Sequence, residues 1–115
     1  MDSRLFKRYP VDLDVTVIDI VAQARVATGR IVDISESGVC ASLSSRVEAG
    51  AIVEVEIGDS VLFGHVAYCN GDQSFRTGIE VVRVLIGESE IAQLLNAILA
   101  ENMPATPGLK VDATL

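Results

Sequence analysis

The sequence predicts an all-β domain, a barrel or a sandwich, finished by one C-terminal helix. Three observations carry this. Six short runs alternate apolar and polar residues, turn-forming residues stand between consecutive runs, and the period changes from two to the helical repeat after Val84. With 115 residues the chain has room for one domain and one core. Half of its residues are apolar, which argues against a chain disordered throughout.

The elements follow in order. Residues 1–9 are polar and basic and close on Tyr9-Pro10; proline disfavours helix at the residue before it, so this segment is expected to be an extended, flexible arm. Val11, Leu13, Val15 and Val17 then alternate with Asp12, Asp14 and Thr16, one buried face of a first strand. A second run, Arg25 to Val32, alternates less clearly and ends at a turn beginning with Asp33. Val39, Ala41 and Leu43 alternate with Cys40, Ser42 and Ser44 in a third.

After Ala49-Gly50, Val53, Val55 and Ile57 form a fourth run, with Glu54 and Glu56 as its solvated edge. Gly58-Asp59-Ser60 predicts a hairpin turn into Val61–Cys69, and Asn70-Gly71-Asp72 predicts another into a sixth run, Ser74 to Val84. The barrel is thus expected over residues 10–86 and a helix over 87–102.

Ile91, Leu94, Leu95, Ile98 and Leu99 fall on one helical face. Ser89 is placed to be the N-cap, and Glu88 and Glu90 suit the positive end of the helix dipole. The apolar stripe is expected to cover one mouth of the barrel, since a small barrel needs the added core. Pro104, Pro107 and Gly108 stop the helix and leave residues 103–115 as an expected disordered tail.

Composition narrows the function. No apolar run approaches the roughly 20 residues that span a bilayer, and no apolar stretch follows Met1-Asp2-Ser3-Arg4 as in a secretory signal, so a cytoplasmic protein is expected. In that compartment Cys40 and Cys69, far apart and without CxxC spacing, are expected to be reduced, partly buried thiols. A net charge of −7 and only five aromatic residues argue against nucleic-acid and membrane binding.

The chain has one histidine, His65, with no hydrolase signature near Ser35 or Cys40. It has no Walker or Rossmann glycine pattern and no metal-ligand spacing. Neither enzyme activity nor a resident cofactor or metal is expected.

The positive charge is concentrated at the start, where Arg4, Lys7 and Arg8 face Asp2 alone. A basic segment on an acidic body suits a small anionic ligand. Arg4-Leu5-Phe6-Lys7-Arg8 followed by Asp33-Ile34-Ser35-Glu36-Ser37-Gly38 resembles the paired RxxxR and [D/N]xSxxG signatures of PilZ domains, bacterial β-barrels that bind cyclic di-GMP. Gly64-His65-Val66-Ala67-Tyr68 and Gly78-Ile79-Glu80-Val81 are similar to two further segments of that family. Tyr68 stands where Trp is frequent and Val81 where Phe is common, both read as core positions. The resemblance covers roughly residues 3–85 and implies a six-stranded antiparallel barrel that binds cyclic di-GMP through Arg4, Arg8, Asp33, Ser35 and Gly38. Ser3, just before the first motif arginine, tilts towards one ligand per domain.

The chemistry of these residues suits such a ligand. A guanidinium can fork onto a phosphate, pair with guanine O6 and N7, or lie flat on a base. Residues four apart in an extended segment share a face at roughly 13 Å, so Arg4 and Arg8 would grip different parts of one molecule. The Asp33 carboxylate can accept from guanine N1–H and N2–H₂ together, which adenine cannot offer. Ser35 can donate to a phosphate or accept from a backbone amide. Gly38 permits a positive φ and close ligand approach. The same residues also make an ordinary Asx- or Ser-turn. The expected role is a single-domain receptor, monomer or weak dimer, that acts in trans on an unidentified effector protein. The alternative is an interaction module of the same fold without nucleotide binding.

Overall fold

A computed structural model describes residues 7–99. Arg4, the rest of the segment before Lys7, and the C-terminal residues 100–115 lie outside the described residues. Six strands precede one helix: β1 (Arg8–Asp19), β2 (Ala24–Ser35), β3 (Gly38–Leu43), β4 (Ile52–Ile57), β5 (Ser60–Asn70), β6 (Phe75–Leu85) and α1 (Glu90–Leu99). The strands close into an antiparallel barrel in the order β1-β2-β3-β6-β5-β4.

Val15 and Val17 of β1, Val53, Val55 and Ile57 of β4 and Leu62 and Val66 of β5 point inward and are buried, as their period of two requires. Because β4 pairs with both β1 and β5, Glu54 and Glu56 sit on an outer face and not on a sheet edge, contrary to the sequence reading. β1 begins at Arg8, so the last two residues of the segment read as an arm are already strand. β1 meets β4 only over Thr16–Asp19. Pro10, which has no N–H to donate, falls where the β4 side of β1 has no strand to pair with.

The turns follow their chemistry. Gly58 takes a φ of +61° in the two-residue β4–β5 loop, and Gly71 takes +123° between β5 and β6. Both are conformations that favour glycine.

Two inward-facing leucines of α1, Leu95 and Leu99, are fully buried in the barrel core, and Ile98 nearly so. The helix packs on β2, and Ile91 reaches the β4–β5 turn at Gly58. Full burial of a leucine side chain is worth about 2 kcal/mol, enough to fix a short helix. Ser89 is the N-cap, its Oγ accepting from Ala92 N at 3.0 Å.

Asp59, legible in the sequence only as a turn residue, clips the helix to the barrel. Its carboxylate accepts from Glu88 N at 2.7 Å, Ser89 N at 3.1 Å and the Ser89 hydroxyl at 2.7 Å. Beside it, Ser60 Oγ accepts from Gly87 N at 3.0 Å.

Candidate functional site

The β2–β3 hairpin and the start of β1 form one corner of the barrel. Ser35 and Gly38 are paired residues with Glu36-Ser37 as the turn between them. Arg8 lies opposite Ser35, and Pro10 opposite Asp33. Arg8 therefore stands diagonal to Asp33 on a shared face, a separation that a long side chain spans. Its Nη1 lies 3.7 Å from Asp33 Oδ2. The arginine side chain is 63% exposed and the aspartate 19%.

Asp33 reaches this face because β2 is irregular. Ile31 is fully buried, and strict alternation would send Asp33 into the core with it. A register shift between Ile31 and Asp33 inserts Val32 as an extra residue, so that Val32 and Asp33 both leave the core and Ile34 returns to it. Asp33 is thus inside a strand and not in the turn that the sequence led one to expect. The bulge also explains why alternation in this run was hard to read.

The serine forms the turn. Ser37 N donates to Ser35 Oγ at 3.3 Å, the local pattern of a Ser-turn, and the Ser35 hydroxyl has a longer 3.5 Å contact to Gly38 O. Val81 N of β6 donates to Ser37 O at 3.0 Å and ties the turn to the barrel. Gly38 does not take a positive φ, which corrects the sequence reading. A Cβ at Gly38 would overlap the Ile79 carbonyl of β6, so glycine is required there by close strand packing.

Arg8, Asp33 and Gly38 line an open cleft of about 180 Å³ together with Cys40, Tyr68 and Glu80. Ser35 stands at the same corner without lining it. Tyr68 was read as a core position, yet it is 40% exposed. The reason is a second bulge. Val66 pairs with Ile79 and Tyr68 with Gly78, so Ala67 is the extra residue and Tyr68 turns outward. Its ring lies over Gly78, where any Cβ would overlap it.

The Tyr68 hydroxyl lies 3.6 Å from Cys40 Sγ, which also accepts from Arg76 Nη1 at 3.7 Å. The Cys40 contact, then burial, push the Tyr68 phenol above its ordinary range, while Arg8 and Arg76 pull it back. At the rim, Glu80 Oε1 lies 3.0 Å from His65 Nε2. Tyr68, Cys40, Arg76 and Glu80 were not anticipated as neighbours of the site. Only the aromatic-after-glycine segment 64–68 held a signal for any of them, and the resemblance read its aromatic as a core position.

The corner therefore offers an exposed guanidinium, a shielded carboxylate acceptor, a turn tied to β6 and an aromatic ring. Cys40 and Cys69 are free thiols. Among the described residues no group of three or more His, Cys, Asp or Glu is placed to hold a metal, and no helix is long and apolar enough to cross a membrane. The family model of the PilZ domain matches residues 2–100. No curated protein matches the chain.

Proposed function

The chain belongs to the PilZ domain family, a family that binds cyclic di-GMP, and we propose that it is itself a receptor for that dinucleotide. The observation that carries this reading is the Arg8–Asp33 pair at the lip of one cleft. A guanidinium and a carboxylate face the same space from adjacent strands, and together they complement both charge and guanine edge.

In this reading Arg8 swings from Asp33 to a phosphate or to guanine O6 and N7. The freed Asp33 carboxylate accepts from guanine N1–H and N2–H₂. Arg4 grips the ligand from the segment preceding Arg8. The Ser35 hydroxyl, which lies 3.2 Å from Ser37 Oγ and 3.5 Å from Gly38 O, turns its proton to a phosphate, while Gly38 keeps the turn against β6. Tyr68 supplies a planar face beside the base. Ligand contacts made in only one arrangement of the Arg8 segment shift that arrangement's population, and this is what an effector protein in trans would read.

Calorimetry with cyclic di-GMP on the wild type and on Arg8→Ala tests the proposal. Saturable binding that the substitution removes supports a receptor. No wild-type heat, with an unchanged melting temperature, sinks it and leaves an interaction module of the same fold.

A further inference from the structure

Away from the cleft, the outer face of β4, β5 and β6 carries exposed apolar side chains and, in Glu54, Glu56 and Arg83, charges without an ion pair among the described residues. Directly paired residues form a row across the barrel, Ile18 of β1, Glu54 of β4, Phe63 of β5 and Arg83 of β6. The next row places Glu56 beside Val61 and Val61 beside Leu85. A register shift between Phe63 and Gly64 makes Val82 a bulge residue, so Val82 and Arg83 both point outward. Val82 is 66% exposed, and it forms with Phe63, Arg83 and Leu85 a groove of about 380 Å³.

The charges flank this groove in an ordered way. Glu54 and Glu56 lie on one side of β5 and Arg83 on the other, about 10 Å apart across two strand spacings. Among the described residues none of the three forms an ion pair. Burial first, then the neighbouring Glu56 side chain, raise the Glu54 pKa. Among the described residues no cation pairs with the two acids and no anion pairs with Arg83. The same face holds both kinds of charge.

We propose that this face is a two-fold interface with a second copy of the chain. The axis runs along β5 in the plane of the contact. A rotation about it exchanges left for right, so Arg83 of each copy meets Glu54 and Glu56 of the other, Phe63 on the axis meets its own counterpart, and the Val82 and Leu85 side of each groove lies over β4 of the other copy. An interface of this kind is isologous, with each contact made twice. A two-fold axis across the strands would instead set Glu54 against Glu54, so charge selects the first arrangement. The patch is small and the barrel convex, which places the dimer among weak, transient associations.

Sedimentation analysis of the whole chain from about 10 μM to about 1 mM spans that affinity range. A concentration-dependent dimer is expected. Arg83→Glu and Glu54→Arg, each alone, should weaken it by about tenfold or more, because like charges then meet at both symmetric contacts. Mixed together, the two variants should recover most of the lost affinity as a heterodimer, since one contact then pairs the two reversed charges with each other and the second keeps Arg83 against Glu54. Far-UV circular dichroism checks that each variant folds, and recovery on mixing is itself impossible for an unfolded chain. A wild type that stays monomeric throughout overturns the proposal and leaves the face to a different protein. So does a dimer that neither charge reversal weakens, or a failure of the mixture to recover.

Discussion

Arg8 and Asp33 form an ion pair that is unequal in exposure, the guanidinium largely in water and the carboxylate largely out of it, at a separation of 3.7 Å. That distance is longer than a charge-assisted hydrogen bond. The pair holds the two groups ready without binding either tightly, and exposed pairs of this kind contribute less than about 1 kcal/mol to stability.

Arg8→Ala should therefore leave the melting temperature nearly unchanged while weakening cyclic di-GMP by about tenfold to a hundredfold, the scale of a lost charge-assisted contact. Asp33→Asn should lower cyclic di-GMP affinity without raising that for cyclic di-AMP, because what it loses is an acceptor for the guanine edge. Calorimetry with both dinucleotides decides it. Equal losses for the two ligands would show that Asp33 does not read the base.

Tyr68→Phe keeps the ring over Gly78 and loses only the contact with Cys40. It should bind the ligand within a few-fold of wild type. Tyr68→Ala should weaken binding by about tenfold, corresponding to a lost stacking surface of about 1–1.5 kcal/mol. If alanine binds as well as phenylalanine, the ring is not part of the site.

Gly38→Ala should destabilise the barrel by about 1–3 kcal/mol, the usual cost of overpacking. The added methyl meets the Ile79 carbonyl, a backbone atom that can retreat only by parting β3 from β6. Urea unfolding measures it. A variant as stable as wild type would show that the strands separate without cost.

Asp59→Asn should lower the melting temperature at neutral pH by weakening the clip on α1. The hydrogen bond from Ser89, followed by that from Glu88 N, holds the Asp59 carboxyl below its ordinary value of 3.8. A depressed folded-state pKa gives stability that is present above the ordinary value and lost as pH falls through the folded one. The gap between wild type and variant should accordingly narrow as the pH drops below 3.8. A gap constant from neutral to acid pH would assign the effect to packing and not to charge.

Much of the fold was legible because it rests on local rules. Val53, Val55 and Ile57 alternate without interruption and sit inside; Gly58 and Gly71 stand where turns need them; Ser89 caps the helix it precedes. The site was legible only in part. Arg8, Asp33, Ser35 and Gly38 do converge, but their surroundings come from places where alternation fails. Nothing in the order of apolar residues shows that Val32 and Ala67 are extra, because a bulge is decided by pairing with the neighbouring strand. The family resemblance read Tyr68 as a core position, which the bulge at Ala67 overturns. The turn motif gave Gly38 a conformational role, when the Ile79 carbonyl, distant in sequence, is what requires it. Asp59 was missed for the same reason, since its partners lie a whole hairpin away.

The bulges at Val32 and Ala67 each set two outward side chains in succession on one strand. Removing Val32 would restore strict alternation with Asp33 still outward, because Ile31 and Ile34 would then flank it. Removing Ala67 would likewise leave the Tyr68 ring outward, directly after the buried Val66. A lineage can thus gain or lose either extra residue, one codon at a time, while the recognition side chain keeps its face. In such a protein, a comparison of relatives should match motif residues by the face they occupy and not by strand length alone.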